Sequence, residues 1–477
     1  MCLVLNRMAS VLALGCLVLT ALPLEADDSR PNIILVMADD QGWGETGYYG
    51  HPVLKTPNLD AMSRAGIRFD RYYAGAPVCS PTRAAVLTGR TNNRTGVQSH
   101  GYALRLQEKT LSAALQAAGY ATGHFGKWHL NGLRGPGVPV LADDDHNPGI
   151  FGFDQWLSVT NFFDRNPVLS RQGAFEEFQG DSSEIVVAEA LKFIEHNSSS
   201  GKPSFTVIWY GTPHSPFVAA EEDMRDFAGL DPASRNHYGE LVAMDRSIGQ
   251  LRKRLKDLGI AENTLVWFTS DNGGLPNITP STVGGLRGFK GSVYEGGLRV
   301  PAILEWPGRI HTSMICNVPA CAMDIFPTLS AIVGLPDECH LHPLDGIDLT
   351  GVIDGTLTRR PQPIVFNYSG STALTDNEFK LIEAGRTEKH YELYDLSKDA
   401  QEENNLYLSQ PDLADKMLGM MRDFQLSLQA SIDGRDYVEQ QVNVGEPEPR
   451  SWREVEGYRP FFEQWRARPE YKSYLKD

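Results

Sequence analysis

Asn32-Ile-Ile-Leu-Val-Met-Ala38, followed at once by Asp39-Asp40, is the stretch around which the rest of the chain can be ordered. Seven residues with no polar face, closed by two carboxylates, read as a strand buried on both sides and ending at a polar edge. SFTVIWY (204–210), TLVWFTS (264–270) and PAILEW (301–306) have the same character. Between them run helical patterns: LSAALQAAGY (111–120) behind Thr110 as N-cap, SSEIVVAEALKFIEHN (182–197) and YGELVAMDRSIGQLRKRLKDLG (238–259). Alternation of this kind predicts an α/β domain: a mixed, mostly parallel sheet flanked by helices.

The texture changes in two places. Residues 131–180 are rich in Gly, Pro, Asp and Asn and read as an insertion or a long loop over one face. After about residue 355, PIVFNYSG, FKLIEAG and KHYELYDL read as short antiparallel strands, followed by the amphipathic helix DLADKMLGMMRDFQLSLQAS. The expected division is a main domain over 27–355, a smaller C-terminal α+β subdomain over 356–440, and a tail over 441–477 that wraps the surface.

The chain has 477 residues, 41% of them hydrophobic and 22% charged, enough to build a full core. Its formal charge of −16 argues against nucleic acid as a partner, since that binding depends on dense Lys and Arg. An anionic substrate must then be held by a local cationic pocket. Arg7 followed by the apolar run MASVLALGCLVLTAL, with Ala26 at a cleavage point, reads as an export signal over 1–26. The expectation is a secreted or periplasmic protein with no stable membrane span. Cys2 and Cys16 would leave with the signal. Cys79, Cys316, Cys321 and Cys339 remain, and if Cys79 is kept for chemistry, one disulfide among the other three is expected.

Two oxygen-rich turns follow buried strands: Asp39-Asp40, and Ser270-Asp271-Asn272-Gly273. In open α/β sheets ligands sit beyond the carboxyl ends of strands, so Asp39, Asp40, Asp271 and Asn272 can together meet a hard cation. Each pair alone is an ordinary turn or helix cap. A third stretch, Cys79-Ser-Pro-Thr-Arg83-Ala-Ala-Val-Leu-Thr-Gly-Arg90, reads as a helix start. Pro81 suits the first turn, which puts Cys79 at the positive end of the helix dipole. Arg83, four residues on, shares its face, where its fork can hold an oxyanion.

This third stretch resembles the signature of the sulfatases, in which Cys-x-Pro-x-Arg directs oxidation of the cysteine to Cα-formylglycine. PNIILVMADDQGWGETGYYG, TPNLDAMSRAGIRFDRYYA, GHFGKWHLNG, TPHSPF, TSDNGG, LRGFKGSVYEGGLRVPAI and ELYDLSKDAQEENNL resemble sulfatase segments in the family's order, from about residue 31 to 425. The start of this span is most similar to the arylsulfatase A and N-acetylgalactosamine-6-sulfatase branch.

The resemblance implies an alkaline-phosphatase-like fold and one Ca²⁺ held by Asp39, Asp40, Asp271 and Asn272 together with residue 79 as formylglycine. It adds Lys127, His129, His214 and Lys290 to Cys79 and Arg83 as active-site groups. The hydrated aldehyde would attack sulfur, His129 would take the proton of its second hydroxyl, and His214 would protonate the leaving oxygen. Partners are a sulfated small molecule or glycan as substrate, and a formylglycine-generating maturation enzyme. Glu295 and Arg299 read as structural. Two other readings stay open: a phosphate or phosphonate ester hydrolase on the same scaffold, and a non-enzymatic glycan-binding relative. Selectivity is expected within 131–180, where Arg134, His146 and Arg165 could meet acidic sugars, although solvated loop residues are the favoured reading of those three.

Overall fold

In the computed structural model, which describes residues 30–385 and 387–476, strand Asn32–Ala38 lies near the middle of a ten-stranded sheet. The export-signal expectation for 1–26 falls outside the described residues. Thr264–Ser270 pairs with one edge of the strand and Ser204–Trp209 with the other, both parallel. Ala121–Lys127 and Gln155–Val159 continue the parallel set. Ile303–Glu305, part of the fourth apolar run, instead pairs antiparallel with Thr264–Ser270.

The central strand is buried on both faces because its side chains alternate between two cores. Ile33, Leu35 and Met37 pack with Ala84, Leu87, Leu111, Phe326 and Leu329. Ile34, Val36 and Ala38 pack with Val186, Phe193, Leu241, Ile248 and Leu255. The second core is roofed by helices Ser182–Ser199 and Pro232–Asp257, capped by Asp181 and Asp231. Thr110 caps Leu111–Ala117, its side chain accepting from the Ala113 amide.

Residues 131–180 are more than a long loop. They contribute three strands that extend the main sheet: Gln155–Val159, then Val168–Arg171 and Ala174–Glu177 as an antiparallel edge hairpin. The tail closes over this segment. Trp452, Tyr458, Trp465, Tyr471 and Leu475 form a small core with Leu133 and Val138, and Arg450–Ser451 pairs with Leu133–Arg134.

The C-terminal unit is a four-stranded antiparallel sheet. It includes Ser371–Asp376, a strand passed over in the sequence because STALTD lacks a strong apolar alternation. Val365, Leu374, Leu381 and Leu393 face helix Pro411–Ile432 through Ala414, Met417 and Met421. The opposite face packs Phe366, Ala373, Ile382 and Tyr394 against Tyr73, Ala85, Leu298 and Met323 of the main domain. Between the two units, Lys380 is buried with its Nζ 3.0 Å from Glu295 Oε1 and 2.9 Å from Glu402 Oε1. Glu295 is therefore structural, as its sequence context suggested. Cys79, Cys316, Cys321 and Cys339 are all free, so the expected disulfide is not formed. Cys316 and Cys321 are placed by short strands that pair with different sheets, which separates them. No helix of the described residues is long and apolar enough to cross a membrane.

Candidate active site

Parallel register aligns Ala38 with Ser270, so the turns that follow both strands leave the same edge of the sheet side by side. The Asp271 amide donates to the Ala38 carbonyl at 3.1 Å, and the Asp40 amide donates to Asp271 Oδ1 at 3.1 Å. Asn272 Nδ2 donates to Asp40 Oδ1 at 2.8 Å. All four side chains are fully buried. Gly273 allows this crossing, because a Cβ there would collide with the Gly296 carbonyl.

Helix Cys79–Thr88 points its start at the same place, with Cys79 as its first residue. The approach is pinned by Thr82 Oγ1, which accepts from the Ala76 amide and donates to the Ala76 carbonyl, each at 3.0 Å. Cys79 Sγ, Asp39 and Asp271 place one ligand atom each within 4.8 Å of the others, and so do Asp39, Asp40 and His214. The five residues read as metal ligands are thus brought together.

Three cations surround them. Lys127, at the end of its strand, sits with Nζ 2.6 Å from Asp39 Oδ2, and Lys290 Nζ lies 2.6 Å from Asp40 Oδ1. Gly126 lets the Lys127 strand close on its neighbour, since a Cβ there would strike the Trp209 carbonyl. Arg83 donates to Asp271 Oδ2 at 2.6 Å and to the Lys127 carbonyl at 3.1 Å, with its guanidinium over the Trp209 ring. Two of its five N–H donors are engaged in this way, and its Nε has no hydrogen-bond partner among the described residues. A fully buried guanidinium has bonded the two strand-end acceptors within its reach.

Burial would raise Asp40, but Lys290 and His214, with bonds from Lys290 and Asn272, hold it well below the usual carboxylate range. Asp271 is pushed up to about 6 by burial and by Asp39, against Arg83 and Lys127. Burial also raises the Cys79 thiol, against the pull of Lys127 and Lys290, so the unmodified residue is a poor nucleophile. His129 is driven well below its ordinary value by burial and then by Lys127 and Arg83. Both of its ring nitrogens are buried without a hydrogen-bond partner among the described residues. Its φ of 55° and the 75° of Asp40 lie in the left-handed region, a conformation that costs about 1–3 kcal/mol and concentrates at functional sites. His214 stacks on Phe162 and offers Nδ1 to the Ser215 carbonyl at 2.5 Å. Burial and Lys290 push it down to about 3, which leaves it neutral.

The donor set fits a hard dication. Asp39 Oδ1 and Asn272 Oδ1 are buried acceptors with no donor among the described residues, an arrangement that is costly unless a cation completes it. Carboxylate and amide oxygens match Ca²⁺ better than zinc or copper.

Sequence reading passed over His100. Burial, then Arg134, Lys290 and Lys127, lower it, which places it within electrostatic reach of both site lysines. No motif marked it, because it sits on a connecting loop. Of the three proposed selectivity residues, Arg134 lies beside this loop, its Nε 3.4 Å from the His100 carbonyl. His146 is bonded to Asp145 and Glu446 instead, and Arg165 is exposed.

Residues 31–335 match the family model described as Sulfatase, and 288–425 match that described as N-sulphoglucosamine sulphohydrolase, C-terminal. N-acetylgalactosamine-6-sulfatase of Sus scrofa is 34% identical over 378 residues, covering 72% of this chain and 69% of that protein. Arylsulfatase A of Bos taurus is 31% identical over 465 residues, covering 85% and 89%. The crystal structure of Ps i-CgsB in complex with k-i-k-neocarrahexaose matches with a TM-score of 0.74 at 25% identity, covering 94% of this chain and 100% of that one. The family model and these relatives are matched over most of the length: the chain belongs to the sulfatase family, on its arylsulfatase A and N-acetylgalactosamine-6-sulfatase branch, and is a sulfuric ester hydrolase.

Proposed function

We propose that the protein hydrolyses sulfate esters of carbohydrates at residue 79, after conversion of Cys79 to formylglycine, with one Ca²⁺ held by Asp39, Asp40, Asp271, Asn272 and residue 79. The observation that carries the reading is the meeting of the Cys79 helix start with Asp39 and Asp271 inside 4.8 Å. Calcium would supply charge stabilisation to sulfate and to a hydroxyl on residue 79, and a hydrated aldehyde there would supply both the nucleophilic oxygen and a second hydroxyl for releasing sulfate.

The chain's own residues do the rest. Lys127 and Lys290 carry positive charge beside the nucleophile position and offset the sulfate in a protein of net charge −16. Arg83 is a positioning residue: it ties the Asp271 turn to the Lys127 strand. His129, neutral and unpartnered, can accept a proton from the second hydroxyl. His214, partly exposed at the mouth, stands on the leaving-group side. It must first gain a proton, which the negative charge of a bound sulfate ester favours.

Two observations support a carbohydrate. Ps i-CgsB was crystallised with an oligosaccharide, by its own description. A polar cleft of about 510 Å³ lies between the Asn93–Tyr102 segment and the Asn367–Gly370 turn. The Gly101 amide within that segment donates to Ser80 Oγ at 2.9 Å, so the cleft wall adjoins the nucleophile. Its Asn93, Gln98, Ser99 and Tyr102 offer the donors and acceptors that sugar hydroxyls need. Export through residues 1–26 and a formylglycine-generating maturation enzyme belong to the same proposal.

Intact-mass analysis of the peptide around residue 79 should give the aldehyde, and a nitrophenyl sulfate should turn over in preference to its phosphate analogue. A panel of sulfated mono- and disaccharides then identifies the sugar. Sulfate-ester turnover undiminished by Cys79→Ala would overturn the reading, and preference for the phosphate would assign the site to phosphoester hydrolysis.

A further inference from the structure

We propose that Asp337, His340 and His342 form a second metal site, one that takes a transition-metal dication of the zinc class. They lie on the segment between helices Ile325–Val333 and Thr350–Ile353, and their ligand atoms stand within 4.8 Å of one another. His342 Nε2 is 3.1 Å from each Asp337 oxygen, and His340 Nδ1 is 3.4 Å from Asp337 Oδ1. Two imidazoles and one carboxylate suit zinc, copper or nickel, whereas calcium takes oxygen alone. Three protein ligands leave one position of a tetrahedron for water.

Support behind the ligands separates this cluster from a chance surface ion pair. The other nitrogen of His340, Nε2, lies 2.8 Å from Ser330 Oγ on the preceding helix. With Nε2–H donating to that hydroxyl, the Nδ1 lone pair faces Asp337, the arrangement found behind metal-bound histidines. The ring is also seated edge-on against Phe326 at 4.8 Å, and the side chain is only 9% exposed. The backbone is tied on both sides: Arg90 donates to the Leu341 and Pro343 carbonyls at 3.1 Å each, and Lys109 Nζ donates to the Glu338 carbonyl at 2.6 Å. Asp337 and His342 remain reachable from solvent, with side chains 77% and 56% exposed. An ion can therefore enter a site whose frame is already set.

The site is distinct from the one built on Asp39. Arg90 follows the far end of helix Cys79–Thr88, and ten helical residues separate the ends by about 15 Å. Bound metal would join Asp337 to His340 and His342 and hold the segment onto helix Ile325–Val333. The Cys339 thiol stands outside the triangle and is not assigned as a ligand.

The test is a zinc titration of the full chain with excess calcium present, so that the oxygen site is occupied, read by calorimetry and repeated with Co²⁺ followed by its visible spectrum. We expect one zinc equivalent per chain and the strong cobalt bands of four-coordination. His342→Ala and Asp337→Asn should each weaken zinc at least tenfold, and Ser330→Ala about ten- to a hundredfold. Zinc should raise the melting temperature of the wild type and leave that of His342→Ala unmoved. Sulfate-ester turnover in calcium should be the same in both. If His342→Ala melts lower without zinc, Asp337→Asn serves as the folded comparison. Zinc bound equally by wild type and both variants, or by none of them, would overturn the proposal.

Discussion

Lys127 Nζ stands 2.6 Å from Asp39 Oδ2 with both side chains wholly excluded from solvent, while Asp39 Oδ1 accepts no hydrogen bond. One oxygen of the same carboxylate is thus neutralised by the lysine, and the other, 3.9 Å from Arg83 Nη2, accepts no hydrogen bond among the described residues and is available to a cation. The pair sets charge at the site and fixes the strand-end geometry together. Replacing Lys127 by Met keeps the stem and removes the charge, leaving Asp39 to be balanced by Arg83, 3.9 Å away, and by the proposed metal. Turnover of a sulfate ester should fall roughly a hundred- to a thousandfold, mostly in kcat, as for loss of one preorganised stabilising group. Steady-state kinetics on folded protein check this, and an unchanged kcat would remove Lys127 from the site.

The two orphaned oxygens, on Asp39 and Asn272, bear on stability as well as activity. A cation bound only by the folded chain adds about 2.7 kcal/mol at a hundredfold excess over its Kd. Calcium should accordingly raise the melting temperature, a chelator should lower it, and the increment should shrink in Asn272→Ala. Scanning calorimetry with and without chelator gives the comparison. A chelator-insensitive melt in protein first shown to be metal-loaded would contradict the assignment of these oxygens.

The catalytic edge was legible in the sequence because a few neighbouring residues encode it. Asp39-Asp40 and Asp271-Asn272 follow their strands directly, and the Cys79 helix start lies in one continuous run. What stayed hidden is of two kinds, weakly apolar strands and contacts between distant segments. Ala174–Glu177 is the edge strand of the sheet, and its Glu176 bonds Arg171 of the neighbouring strand at 2.8 Å across the hairpin. Solvated edges of this kind lack the apolar run that marks a strand. The Lys380 junction draws Glu295 and Glu402 from segments 85 and 107 residues apart from their partners. That Arg83 bonds Asp271 and the Lys127 carbonyl could be found only from coordinates.

The two site histidines make the pH profile diagnostic. His129 is held well below its ordinary value by burial, with Lys127 adding to it, and His214 is pushed down to about 3 by burial and Lys290. Bound cation adds positive charge and moves both in the same direction. Neither ring therefore gains a proton in the free enzyme as pH falls through the ordinary histidine value of about 6.5. The acid limb that His129 sets on kcat/KM should lie below that value, and because His214 must carry a proton to act, kcat/KM should fall steadily as pH rises to neutrality, with no break near 6.5. A descending limb centred at 6.5 would mean that an ordinary histidine controls the rate.

Glu240 offers a stability test away from the site chemistry. Its Oε1 accepts the Val218 amide at 2.5 Å, but Oε2 is buried without a partner among the described residues. Burial, with Asp164 and Asp181 nearby, raises its carboxyl well above the usual range. A carboxyl whose folded value exceeds its unfolded value binds more protons in the folded chain. Its contribution is whole below the unfolded value, near 4.5, and is lost as pH climbs toward the raised one. Glu240→Gln keeps the acceptor for Val218 and removes the ionisation. The variant should outlast the wild type at pH 8 by about 1–3 kcal/mol, the cost of an unsatisfied buried group. Its advantage should close as pH approaches 4.5. Denaturant melts at both pH values measure the difference directly. A constant offset would place the effect in packing, because only the charge on Glu240 varies with pH in this pair.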